Sequence, residues 1–473
     1  MKNSSCSSRT ALRWMLWLYI GCILPVGLYA QTDTVRILPN DTLSDPLPKK
    51  RFWRASGELM LAQVLPWSYN YFVRKADFAK ISWESIGHNL KLSSWEWDDN
   101  QFSTNQFAHP YHGSMYFSAF RSNGYNFWQS APAAFAGSLM WEIVGETHPP
   151  APNDFINTSF GGTTLGEMTY RLSNMIVDET QRGFKRQMNE VFAFIVNPMN
   201  GFNRILDGKW GKVTRRGTTK QYIPKYFAAG IDMGVRRYSE RIEDVLEKGK
   251  NEFFTRLQLQ YGDPYSEFKK PFDNFQLVME LGSDDSSAIN VVHVVGTLAG
   301  WKGKQTEKAL HVTSVSLNYD YYNNAAFFYG AQSAHFNLLS DYKLGHKTRL
   351  QTNFGLGAII LSAVPDEYLY YGEGRDYDYG SGISLMANAK LELGSRFSWN
   401  LTYRGALSKT INGNPSSFFL SAVTSELKYL VFRQTTLGME WGHLNLNGDY
   451  SNYPDVYESY PYGRLSVGYV FGR

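Results

Sequence analysis

From Tyr226 to the end of the chain, apolar and polar residues alternate with a period of two, and this constrains the fold more than any other feature. Ala229, Ile231, Met233 and Val235 alternate with Gly230, Asp232, Gly234 and Arg236. The pattern recurs at Leu257-Leu259-Tyr261, Phe275-Leu277-Met279-Leu281, Val315-Leu317-Tyr319-Tyr321, Ile383 to Leu393 and Phe397-Trp399-Leu401-Tyr403. It returns at Leu437-Met439-Trp441-Leu444, where the register reads as slipping near His443. Successive strand side chains point to opposite faces, so each segment has one apolar and one polar face. Segments of about ten such residues joined by turns are the signature of a transmembrane β-barrel. Twelve strands are expected, at 226–238, 252–261, 273–282, 288–299, 309–322, 325–339, 348–361, 380–393, 397–407, 418–430, 434–446 and 461–471. Ile231, Met233, Leu257, Leu277, Leu385 and Trp399 are expected to face lipid, and Asp232, Gln258 and Glu280 the lumen.

The connections support that reading. Ser362 to Tyr379, Ser408 to Ser417 and Asn447 to Tyr460 are long, whereas Gly394-Ser395-Arg396 and Val431-Phe432-Arg433 are short. Long external loops and short periplasmic turns produce this alternation. The joins around Asp263 and Lys302 read as long and break it. Aromatic residues make up 16% of the chain, a load suited to aromatic girdles at two membrane interfaces. Mean hydropathy is nonetheless -0.35, as expected when an apolar outer face is averaged with a polar lumen. A soluble β-sandwich would need neither these aromatics near strand ends nor an export signal.

The first thirty residues read as such a signal. Lys2, Arg9 and Arg13 precede the apolar stretch Trp14 to Leu28, and Leu28-Tyr29-Ala30 is a cleavage site before Gln31. Cys6 and Cys22 both lie in this segment, and Cys22 follows a weak lipobox, Tyr19-Ile20-Gly21. Cleavage after Ala30 would leave a chain without disulfides or thiolate ligands. Beyond the signal there is no run of about 18 apolar residues. The net charge is +4 with no basic run, which excludes nucleic acid as a natural partner. The expected organisation is α+β: signal peptide 1–30, Pro-containing linker 31–51, α-helical region 52–215 and outer-membrane barrel 216–473.

Within 52–215 the period is helical. Phe127 to Glu146 is rich in Ala and Gly, Asn153 to Val177 follows Pro152 with Asn153 or Asp154 as cap, and Phe184 to Val196 is stopped by Pro198. The unusual polar residues collect here: His109 and His112 at a helix start, then Glu142, Glu146, Asp154, Glu167 and Arg171. Carboxylates on a helix otherwise made of Ala, Phe, Leu, Met and Trp are costly to bury without partners. Glu142 and Glu146 share a helix face, since four residues make about one turn. One polar cluster is therefore expected from His109, His112, Glu142, Glu146 and Asp154, with Glu167 and Arg171 as further members. His109, His112, Glu142 and Glu146 are the weak candidates for a metal. Gly161, Gly162 and Gly166 read as close helix packing rather than a phosphate loop, because no strand precedes them.

The stretch from Trp95 to Trp210, with WEWDDNQFSTNQFAHPYHGSMYFSAFRSNGYNFWQS followed by WEIVGE, NDF and GGTTLGE, resembles the domain of unknown function 3943 of Gram-negative exported proteins. That resemblance implies location more than activity. A shorter similarity is to VanZ-like membrane helices, carried by Glu142, Asp154 and Asn157 to Gly162 with Gly166. Because it precedes the first strand, the helical region is expected on the periplasmic side. Two functions are expected to compete: a structural, binding or transport role with the helical region plugging or gating the barrel, and a membrane-embedded enzyme acting on lipid or lipopolysaccharide. The expected partners are outer-membrane lipid and a small solute or lipid ligand. No cofactor is specified.

Overall fold

The computed structural model describes residues 49–214, 222–268, 270–283, 287–369 and 374–471, so the expected signal peptide and both cysteines lie outside the described residues. The alternating half forms twelve strands: β1 (Phe227–Tyr238), β2 (Lys250–Tyr261), β3 (Phe275–Gly282), β4 (Ile289–Gln305), β5 (Ala309–Asn323), β6 (Phe328–Lys343), β7 (Thr348–Pro365), β8 (Tyr377–Leu393), β9 (Phe397–Asn412), β10 (Ser416–Phe432), β11 (Thr435–Tyr450) and β12 (Val456–Phe471). Each pairs antiparallel with its neighbours, and β1 closes on β12, so the sheet is a closed barrel. Closure leaves no edge and pairs every ladder group, which is what lets strands stand in lipid.

Strand register fixes the two faces. Asp232 lies opposite Arg256, and Arg256 opposite Glu280, with all three inside. Ile231, Met233 and Val235 lie opposite Tyr469, Val467 and Leu465, with all six outside. Two sequence expectations are corrected. Lys302 sits within β4, so the join there is the short turn at 306–308. No register slip occurs at His443, because β11 pairs continuously with β10 and β12 through it and Leu444 points inward.

The lumen is filled by its own side chains. Arg256 bonds to Glu426 and Glu440 and lies 3.3 Å from Asp232. Lys428 Nζ is 2.8 Å from Asp232, and Arg464 reaches Glu280 at 2.8 Å and Glu440 at 3.2 Å. Arg236 bonds to Glu252 and lies 3.2 Å from Glu280. Of these, all but Lys428 are buried. Charges removed from water are tolerated only when paired, and here each carboxylate meets a cation. Farther along, His293 Nδ1 bonds to Asp320, Arg404 Nη1 lies 3.0 Å from that nitrogen and 3.7 Å from Asp320, and His335 Nε2 meets Ser384 Oγ at 2.7 Å.

The helical half contains α1 (Phe52–Ser68), α2 (Trp83–Asn89), α3 (His109–Arg121), α4 (Phe127–Met140), α5 (Pro152–Ile156), α6 (Gly162–Ile176), α7 (Gly183–Val196) and α8 (Pro198–Leu206). Wider π turns extend or precede several of them, at Tyr69–Arg74, Thr104–Ala108, Trp141–Gly145 and Asn157–Gly161. Ala151 is the N-cap of α5, so Asn153 and Asp154 occupy its first turn instead of capping it. The glycines work as expected. A Cβ on Gly162 would stand 2.4 Å from the carbonyl carbon of Gly113, and one on Gly166 would strike the Phe117 ring, so α3 and α6 touch backbone to backbone.

These helices pack on the outside of the barrel, not beneath it or in its lumen. Phe117, Phe127, Leu165, Met168 and Leu172 share one core with Ala229, Leu259, Leu277, Val294, Tyr319 and Leu361, all on outward-facing positions. Leu277, expected to face lipid, is therefore covered by helix. The long β2–β3 connection finds its reason here. Phe272 packs on Phe127, Arg171 donates to the Pro271 carbonyl at 2.7 Å, and its guanidinium lies 3.1 Å from Asp273.

Candidate functional site

Three of the π turns converge on one polar locus. The turn at Thr104–Ala108 presents Asn105, the turn at Trp141–Gly145 presents Glu142, and the turn at Asn157–Gly161 adjoins α5 with Asp154. A π turn inserts an extra residue into a helix and re-aims its side chains, and such turns recur at functional sites. His109 opens α3 beside them, with Nε2 3.7 Å from Asp154 Oδ2. Asn153 donates to Asp154 Oδ1 at 2.7 Å and accepts from the backbone N–H of Asp98 at 3.0 Å. Asn105 Nδ2 lies 2.6 Å from Asp98 Oδ2, 2.8 Å from the Tyr377 hydroxyl and 3.0 Å from that of Tyr379. Glu142 Oε2 accepts from the Ala151 backbone at 2.8 Å.

The structure thus joins His109 and Asp154 directly and sets Glu142 and Glu146 within electrostatic range of Asp154. Asp154 and Glu142 are buried, and His109 and Glu146 are half-buried beside them.

Other expected members have further roles. His112 lies within electrostatic range of His109, its Nε2 donates to the Ala62 carbonyl at 2.7 Å and its ring is tilted against Tyr116 and edge-on to Trp141, so it also ties α3 to α1. Glu167 is clamped by Arg121 at 2.7 Å and Arg171 at 2.8 Å, and Arg171 continues to the β2–β3 loop. That trio fastens helix to barrel. Among the described residues no three His, Asp or Glu side chains are arranged to hold a metal ion. Sequence reasoning did not single out Asp98, Asn105, Tyr377 or Tyr379. Asp98 sits inside the WEWDDN motif, and the two tyrosines fall in the expected connection Ser362 to Tyr379, whereas the structure starts β8 at Tyr377.

Residues 94–199 match the family described as Domain of unknown function (DUF3943). No curated protein matches the chain. Among solved structures, the KdgM porin is 10% identical over 51% of this chain and 99% of its own, with a TM-score of 0.27. The NanC porin is 12% identical over 50% and 98%, with a TM-score of 0.28. The Pseudomonas putida toluene transporter TodX is 11% identical over 53% and 91%, with a TM-score of 0.24.

Proposed function

We propose that this protein is an outer-membrane barrel that serves as a rigid support, holding a helical binding region against its outer wall, rather than an open pore. The observation that carries the reading is the lumen. A water-filled channel leaves its lining charges solvated, but Asp232, Arg236, Arg256, Glu280, Glu440 and Arg464 are buried in one another's contacts. The binding region's ligand is a small solute or a lipid, and its polar locus around His109 and Asp154 is the place to bind it. In planar lipid bilayers the purified full-length protein should insert without steady ion conductance. A sustained open-pore conductance in the wild type would overturn the reading.

One observation favours an enzyme as a second reading. His109 and Asp154, with Glu142 and Glu146 close by, are proton donors and acceptors poised in a buried setting, as acid–base chemistry on a lipid ester or phosphate requires. Mass spectrometry of outer-membrane lipids incubated with the wild type and with Asp154→Asn tests it. A product formed by the wild type alone supports it, and unchanged lipids in both remove it.

A further inference from the structure

The helical region buries polar groups beside its apolar core. Glu58 receives Asn123 and Asn203, and Asn197 donates to Ser118 and Thr169. The region's far surface, turned away from the barrel, is apolar. Along α1 and the π turn that continues it, Trp53, Leu61, Val64, Leu65, Phe72 and Val73 are exposed, Trp53 by 85%. The opposite side of α1 is polar and sealed by protein: Glu58 receives Asn123 and Asn203, and Gln63 donates to the Gly137 carbonyl at 2.6 Å.

The place of contact on the barrel says what covers that surface. The covered row runs from Tyr261 and Phe275, at the rim where β2 ends and β3 begins, to Phe328 and Tyr377, at the opposite rim where β6 and β8 begin. It therefore crosses the full height of the wall. Bare apolar wall borders it on both sides, with Met233 and Phe253 toward β1 and Trp301, Phe336, Leu338 and Leu356 below it on β4 to β7. Whatever apolar medium covers Met233 and Phe336 also surrounds the helices between them.

We infer that the helical region lies in the bilayer beside the barrel, with the α1 face in contact with lipid acyl chains. No helix among the described residues is long and apolar enough to cross a membrane. None needs to do so alone, because protein seals the polar side of α1. The seventeen residues of α1 and the six of the π turn give roughly 35 Å of helix, enough for a hydrocarbon core of about 30 Å. Lys50 and Arg51 stand at one end and Arg74 and Lys75 at the other, where their ammonium and guanidinium groups reach the two interfaces.

The inference rests on the barrel being the membrane anchor, and its test separates the two. Single cysteines at Leu65, Met439 and Lys80 of the full-length protein, whose only native cysteines lie in the expected signal, are spin-labelled after reconstitution into phospholipid vesicles. Collision with oxygen and with a water-soluble nickel chelate is then read. Met439 reports the bare barrel wall, and Lys80 a solvated turn. The Leu65 label should match Met439, with oxygen collisions several-fold favoured over the chelate. A Leu65 label that matches Lys80 while Met439 stays in lipid overturns the inference and leaves the barrel intact. An aqueous signal at Met439 overturns both. Leu65 is 64% exposed, so its labelling should not disturb the fold.

Discussion

The Tyr319 hydroxyl, on the outward face of β5, donates to the main-chain carbonyl of Gln106 at 2.7 Å. Tyr319 is fully buried, although its position in the alternation is one that lipid would otherwise cover. A phenol and a helix carbonyl in hydrocarbon would each lack a partner, and together they satisfy each other. Asn105 does the same for Tyr377 and Tyr379. The outer wall is thus chemically matched to the helices it carries.

Tyr319→Phe removes the donor and leaves a buried carbonyl unpaired, at a cost of about 1–3 kcal/mol. The loss falls on docking, not on the barrel. Limited proteolysis should release or cut the helical region more readily, while heat-modifiable migration of the barrel in detergent gels stays unchanged.

Arg256→Ala should leave Asp232, Glu426 and Glu440 short of their shared cation. Breaking a buried pair from one side costs about 3–5 kcal/mol. The thermal transition of the barrel should fall, and planar bilayers should show conductance that the wild type lacks.

Gly162→Ala forces a methyl into the backbone of Gly113, which cannot rotate away as a side chain would. The crossing of α3 and α6 should open, at about 1–3 kcal/mol or more. Gly57→Ala, inside α1 where a Cβ meets nothing within 4 Å, is the matched control and should hold or slightly raise the melting temperature.

Glu142→Ala abandons the Ala151 N–H that Glu142 accepts at 2.8 Å, and should lose about 1–3 kcal/mol of stability. Glu142→Gln keeps an acceptor for that N–H, so its thermal transition should stay closer to that of wild type.

Much of the barrel was legible in the sequence because its information is local. Alternation along β1 assigns Asp232 and Met233 to opposite faces, and turns such as Gly394-Ser395-Arg396 mark where strands reverse. Glu142, Asp154 and His109 were legible as candidates because charge on an apolar helix demands an explanation. That Glu167 pairs with Arg121 and that His112 turns to the Ala62 carbonyl was not, since a helix start tells which residues are near in sequence but not which way each ring or carboxylate turns.

The sequence by itself pointed to a barrel of about twelve strands, to most of its inward and outward sets and to close helix packing at Gly161, Gly162 and Gly166. Tertiary structure alone decided what lies against the outward set. Leu277 and Met439 occupy equivalent places in their alternation, yet Leu277 is buried against helices and Met439 is 56% exposed. A two-residue period records that a side chain avoids water. It carries nothing about whether lipid or a neighbouring helix does the covering, because both are apolar and the choice is made by residues more than a hundred positions away.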